Sequence, residues 1–219
     1  MDLNKVLIYR MTHIENIPHV LVHGITHRSS PNKNDNYKAI GDSSLINHRN
    51  RKNVFVKNGE NEESYSVTIG DFIPFYFAPR MPMLYVVQRG GNAVPETTKP
   101  ENIVYCVSSV GHVLSGNLDF IFSNGHATDN FSKFYSPKYH NEIRDKLDFD
   151  AINKKYWKDD NDLDLKRRKE AEFLVRQDIP VSLIVGYAVY SQEAMDRMVQ
   201  LGIPKGKIGL RPQFYFKFR

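Results

Sequence analysis

The side chains that could do chemistry here fall into three groups. Glu172 follows Arg168-Lys169-Glu170-Ala171 and opens the apolar run Phe173-Leu174-Val175. Desolvating an ionised carboxylate at the head of a buried strand is costly unless its charge is used. Glu172 is therefore a candidate for stabilising developing positive charge, against the alternative of a helix-terminal glutamate facing water. The cluster His48-Arg49-Asn50-Arg51-Lys52 is either a solvated charge run on a loop or a contact for phosphate or nucleic acid, where arginine's planar fork suits an anion. His19, His23 and His27 recur at spacings of four, but Gly24 breaks the helix that would align them. No cysteine or carboxylate cluster completes a zinc shell, so no metal is expected.

Other chemistries lack their motifs. The sequence contains neither a Walker loop nor a Gly-x-Gly-x-x-Gly after a strand, so a bound nucleotide must be held in another way. The single cysteine, Cys106, sits in the strand-like run Ile103-Val104-Tyr105-Cys106-Val107 and reads as a buried small hydrophobe rather than a nucleophile. Phe75, Tyr76 and Phe77, flanked by prolines in the most apolar stretch, read as core rather than as base-stacking platforms.

These residues must be positioned by a mixed set of short elements. Val6-Leu7-Ile8-Tyr9 predicts a strand, and a helix near Ile14 to His23 should end at Gly24. Residues 28–70 form a long polar excursion, usually a sign of function or disorder in a compact domain. The proline-rich run 71–85 predicts a strand, a rigid turn and then a helix or strand. Ile103 to Ser108 and Phe120 to Ser123 read as strands, the second leading into Asn124-Gly125-His126. Charged helices are expected over Asp150 to Trp157 and Leu163 to Glu170. A strand over Val181 to Tyr190, a helix from Ser191 to Leu201 and strands near Ile208 and Phe214 to Phe218 complete the chain. Short strands separated by helices without regular βαβ spacing indicate an α+β fold.

With 219 residues, 41% of them hydrophobic, the chain can bury a full core, and a single domain over 1–219 is expected. A formal charge of +5 suits a polyanionic partner such as nucleic acid. No signal-peptide pattern and no membrane-length apolar stretch occur, so a soluble, cytoplasmic protein is expected.

Six blocks carry a resemblance. Ile8-Tyr9-Arg10-Met11-Thr12-His13-Ile14-Glu15-Asn16-Ile17 comes first, followed by Leu45-Ile46-Asn47-His48-Arg49 and by Pro74-Phe75-Tyr76-Phe77 with Pro82-Met83-Leu84. Phe122-Ser123-Asn124-Gly125-His126, Glu170-Ala171-Glu172-Phe173-Leu174 and Val189-Tyr190-Ser191 complete the set. In this order and at these intervals the chain resembles the DarT family, bacterial toxins that ADP-ribosylate thymidine in single-stranded DNA. The resemblance implies an ADP-ribosyltransferase fold of two packed antiparallel sheets flanked by helices, with NAD as co-substrate in the cleft between them. Glu172 then matches the catalytic glutamate and Arg49 the essential arginine, which also contacts NAD. Arg10, Met11 and Thr12 match the cofactor-contacting segment, where the family carries histidine or arginine at the Arg10 position. His19 matches a further cofactor contact, and His126 begins the substrate loop. Lys57 to Ser66 matches no motif. The implied partners are single-stranded DNA and a DarG-type macrodomain antitoxin that removes the adduct, and a monomer is expected.

The chemistry agrees with the residues. Cleaving the nicotinamide–ribose bond builds positive charge that a fixed carboxylate stabilises. Thymine N3 lies on the pairing edge, so an unpaired strand is required. Two other functions remain open: transfer to another base or to RNA, and a nucleic-acid-binding module without chemistry.

Overall fold

The computed structural model describes residues 2–60, 62–91, 94 and 96–217. Its strands are β1 (Leu7–His13), β2 (Asn53–Lys57), β3 (Tyr65–Thr68), β4 (Ile73–Tyr76), β5 (Ile103–Ser109), β6 (Phe120–Ser123), β7 (Phe134–Tyr135), β8 (Glu172–Val175), β9 (Gly186–Val189) and β10 (Ile208–Leu210). Helices are α1 (Ile17–His23), α2 (Ser43–Arg49), α3 (Pro82–Arg89), α4 (Val110–Ser115), α5 (Ile143–Lys146), α6 (Phe149–Asn153), α7 (Leu165–Lys169) and α8 (Gln192–Gln200). The class is α+β, as expected. The two packed sheets take the form of one hydrogen-bonded, mostly antiparallel sheet in the order β10-β9-β5-β1-β4-β8-β6-β7-β2-β3.

Side chains alternate across a strand, and the inner strands β5, β6 and β8 bury both faces, whereas β2 exposes one. Ile8, Phe75, Cys106, Phe173, Val175 and Tyr187 share one core cluster. Tyr105 and Ala188 pack in a second, and Val56, Ile121, Phe134 and Leu174 in a third. All four residues of β8 are buried. This two-sided burial is why Phe173-Leu174-Val175 reads as an unbroken apolar run.

Local chemistry sets the helix ends that matter. Asp42 caps α2 by accepting from the backbone N–H groups of Ser44 at 2.8 Å and Leu45 at 3.2 Å. The C-terminal turn of α2 packs so closely on Gly70 that a Cβ there would lie 2.6 Å from Asn50 Cα. Gly24 ends α1 with φ +76°, and a Cβ would meet the Ile179 carbonyl oxygen at 2.1 Å. Ser191 caps α8, its hydroxyl accepting from the Ala194 N–H.

Several expectations are corrected. The predicted strand Val181 to Tyr190 begins instead as a 3-10 turn, Val181–Leu183, and only Gly186–Val189 is strand. Pro180 precedes this turn and offers the sheet no N–H. The predicted strand Phe214 to Phe218 is a 3-10 turn, Pro212–Phe214, followed by non-strand residues, and Phe218 lies outside the described residues. There the Tyr215 hydroxyl reaches into the sheet, 2.9 Å from Ile103 O and 3.1 Å from Ala188 O, so the aromatics plug a core rather than extend a strand. The charged helices are shorter than predicted, Phe149–Asn153 and Leu165–Lys169. The polar excursion is ordered around α2, β2 and β3, and the ends of the unmatched 57–66 segment belong to β2 and β3. Among the described residues no helix is long and apolar enough to cross a membrane.

Candidate active site

β8 begins at Glu172, opposite Tyr76 of β4 in the antiparallel register. Its side chain is 0% exposed. Oε1 accepts from Arg49 Nη1 at 3.1 Å and from the Ala127 N–H at 2.9 Å. Oε2 lies 2.9 Å from the same Nη1 but accepts no aligned hydrogen bond, and Arg49 Nη2 also has none. The Glu172 N–H donates to Ser123 Oγ, whose own proton goes to the Gly125 carbonyl at 2.6 Å. Arg49 ends α2 and is 13% exposed at the side chain, so it is a helix residue folded inward, whereas Arg51 two residues on is exposed.

His126 stands beside this pair. The Thr128 N–H donates to His126 Nδ1 at 3.3 Å, which makes Nδ1 an acceptor and leaves the proton on Nε2 in the neutral ring. Burial lowers its pKa, with Glu172 raising it and Arg49 and Lys166 lowering it. Tyr76 is held well above the usual phenol range by burial and then by the charges of Glu172 and Glu170. It stays a neutral hydroxyl.

Two clefts share Arg10 and Tyr37, and the smaller borders the pair at Arg49. The smaller, about 160 Å³, is walled by Arg49, His126, Tyr76, Met11 and Met83. The larger, about 290 Å³, is lined by Arg10, Thr12, His19, Arg28 and Lys33 with apolar Val20, Ile25 and Cys106. Arg10 is partly committed, since its Nη1 donates to Pro74 O at 2.9 Å. Thr12 Oγ1 accepts from Asn16 Nδ2 at 2.9 Å, and His19 Nε2 lies 3.1 Å from Thr26 Oγ1. The histidine triplet does not converge: His19 stacks on His23, while His27 Nε2 turns to the Gly70 carbonyl. Among the described residues no group of three or more potential ligands could hold a metal.

A family model described as "ssDNA thymidine ADP-ribosyltransferase, DarT" matches residues 9–216. This chain belongs to the DarT family. Over 196 residues it is 33% identical to the DNA ADP-ribosyl transferase of Thermus sp. (strain 2.9), covering 89% of this chain and 86% of the relative. Its fold superposes on Thermus sp. 2.9 DarT in complex with ADP-ribosylated ssDNA with a TM-score of 0.78, 28% identity and 96% of each chain covered. The complex of the same Thermus protein with NAD+ gives a TM-score of 0.74 at 28% identity, covering 96% of this chain and 98% of that one.

In this DarT chain the residues matched through the family resemblance lie around the two clefts. Arg49 and His126 wall the smaller cleft with Met11, Glu172 lies behind Arg49, Arg10 joins the two clefts, and Thr12 and His19 line the larger. Sequence reasoning gave no role to Asn16 or Ser123, and Tyr76, which packs on the core as expected, also lines the smaller cleft. Asn16 is buried, donates to Thr12 Oγ1 and Lys38 O, and accepts from Lys38 N at 2.8 Å, so it ties residues 34–38 over the cleft. A buried asparagine at the head of a helix was the available signal.

Proposed function

We propose that this chain transfers ADP-ribose from NAD to thymine N3 in single-stranded DNA, releasing nicotinamide, as the toxin of a toxin-antitoxin pair. The observation that carries the reading is the buried Glu172–Arg49 pair, in which Oε2 and Nη2 remain without aligned partners beside a cleft. Buried polar atoms of this kind are costly unless a ligand satisfies them. NAD fits the lining: Arg10 and Arg28 would offset the diphosphate charge, Lys33 being paired with Asp35 of the same cleft, and the apolar residues of both clefts would pack its rings. Family membership and the Thermus complexes support NAD and DNA as the two substrates.

As nicotinamide leaves with the bonding electron pair, positive charge grows on the ribose C1′. The Glu172 carboxylate, held by Arg49 and the Ala127 N–H, is fixed where it stabilises that charge. Thymine N3 bonds to C1′ as it loses its proton. A guanidinium stays protonated, so Arg49 stabilises the developing base anion and holds phosphate, while the proton passes to Glu172 directly or by relay. The Nε2–H of neutral His126 supplies a further donor at the start of the substrate loop. The reading includes a one-domain monomer acting in the cytoplasm and a DarG-type partner that reverses the adduct through its macrodomain; a relative that fuses a DNA ADP-ribosyl transferase to a DNA ADP-ribosyl glycohydrolase supports the last part.

Mass spectrometry of a mixed-sequence DNA oligonucleotide after incubation with protein and NAD tests the proposal. The expected product is an ADP-ribose adduct on thymidine, with nicotinamide released in equal amount. An adduct on RNA or on oligonucleotides lacking thymine would move the acceptor. No nicotinamide release with any oligonucleotide would leave a binding module.

A further inference from the structure

Beside the transfer clefts lies a separate open groove of about 540 Å³. The C-terminal turn of α2 stands between them, with Arg49 on the cleft side and His48 on the groove side. Lys52, Phe55, Lys57 and Lys133 line the groove with one acid, Asp129.

The chemistry of this groove is specific. In β2, Val54 and Val56 point into the core, so Asn53, Phe55 and Lys57 all face outward. Phe55 is 76% exposed, and Phe131, flanked by the lining residues Asn130 and Ser132, is 82% exposed. A single exposed apolar side chain means little. Two phenylalanines with bare ring faces on the borders of one basic groove are another matter, since stacking rings interleaved with cations are what a flexible polynucleotide uses. The cations are available. Lys52 Nζ bonds only neutral acceptors, Thr128 O and Asn130 Oδ1. Neither Lys57 nor Lys133 forms an ion pair among the described residues. Asp129 is occupied, its Oδ1 accepting from the Phe131 N–H at 2.8 Å. Glu62 of the neighbouring loop is paired with Lys138.

We propose that this groove is a second nucleic-acid site, which holds the single strand flanking the target nucleotide by stacking a base on Phe55 and placing phosphates near Lys57, Lys52 and Lys133. The inference rests on the DNA-acceptor reading above and deepens it. The groove is coupled to the chemistry through Lys52, whose ammonium holds Thr128 O, one residue from the Ala127 N–H that binds Glu172. A strand seated here would leave its next nucleotides at the α2 turn that carries Arg49.

The test compares Phe55→Ala and Lys57→Glu with the unaltered protein on two thymidine-containing oligonucleotides, of about four and about sixteen nucleotides. Transfer is read with NAD, and binding of the fluorescently labelled strands is read by anisotropy without it. Both substituted residues are exposed, so equal melting temperatures will confirm intact folds. Expected is a lower KM for the longer strand in the unaltered protein. Phe55→Ala should raise that KM about five- to 150-fold, the range for losing one base stack, and leave kcat and the short-strand rate unchanged. Lys57→Glu should lower the salt slope of long-strand binding by about 0.7, one phosphate contact on a single strand. Equal effects on both lengths, or none on the longer, would overturn the groove. A long strand that binds through Phe55 and Lys57 but receives no ADP-ribose would uphold the groove and remove the transferase reading. Tighter binding of duplex than of single strand would reject the stacking assignment.

Discussion

Arg49 Nη1 lies 3.1 Å from Oε1 and 2.9 Å from Oε2 of Glu172, so one guanidinium nitrogen serves both carboxylate oxygens while Nη2 stays free. A buried ion pair offsets its desolvation only when its remaining hydrogen-bonding capacity is filled. Here the unfilled capacity sits beside the cleft wall. The pair is therefore both a structural contact and an incomplete one, and its substitutions should report on stability and on transfer separately.

Glu172→Gln keeps an oxygen for the Ala127 N–H but removes the charge that faces Arg49. Transfer should fall about a hundredfold to a thousandfold, the typical loss when a positioned electrostatic group is removed. Because Arg49 is left as a buried cation without its partner, unfolding stability should drop by about 3–5 kcal/mol. At roughly 2–4 °C per kcal/mol for a chain of this size, thermal melts will register it. A folded Glu172→Gln protein with near-normal adduct formation would remove this residue from the mechanism.

Arg49→Lys should rescue little of the activity lost in Arg49→Ala, because a single ammonium cannot contact both Glu172 oxygens and still present the free fork nitrogen. Arg51→Ala should be close to unaltered, since that side chain is exposed beyond the end of α2. Rates of oligonucleotide modification by the three variants decide the matter. Loss of activity in Arg51→Ala with Arg49→Ala active would transfer the role two residues along.

Glu170 makes a pH prediction. Burial, aided by the charges of Glu172 and Asp129, pushes its carboxyl up to about 8 against the opposing pull of Lys166 and Lys169. A folded-state value above the usual 4.5 means the folded chain binds the proton more tightly than the unfolded chain. Its contribution to stability is thus fully present below pH 4.5 and is lost as pH rises through about 8. Glu170→Gln, which fixes the neutral form, should melt higher than the unaltered protein above pH 8 and converge with it at acid pH. A melting difference that does not vary with pH would refute the assignment.

Glu172 was legible in the sequence because its oddity is local: an acid heading a run that β8 buries on both faces. Arg49 was not separable from Arg51 by charge or spacing. What separates them is three-dimensional, the termination of α2 against Gly70, which turns one arginine inward and leaves the other in water. Asn16 and Ser123 escaped for a related reason. Their partners, Lys38 and Glu172, lie far along the chain, and a short polar side chain carries no periodic signature of a long-range hydrogen bond. The misread strand at Phe214 shows the opposite error: an aromatic run has strand composition, yet Tyr215 uses its hydroxyl to seal the sheet face between Ile103 and Ala188. The strands β5, β6 and β8 were readable because burial on both faces writes continuous apolar runs.

Strandedness and salt follow from where the acceptor atom lies. Thymine N3 is on the pairing edge, so a duplex hides it and the base must be unpaired to reach Arg49 and Glu172. Phosphate contacts by a chain of formal charge +5 should make activity fall as salt rises. Annealing a complementary strand should protect a thymidine that is modified in the free oligonucleotide, and a mismatched partner should protect it less. An N3-methylated thymine should block transfer while leaving oligonucleotide binding nearly unchanged, because only the acceptor atom is altered. Adduct counts by mass spectrometry on these substrates, across a salt series, separate the contributions. Equal modification of duplex and single strand, or transfer to the methylated base, would place the acceptor on another atom.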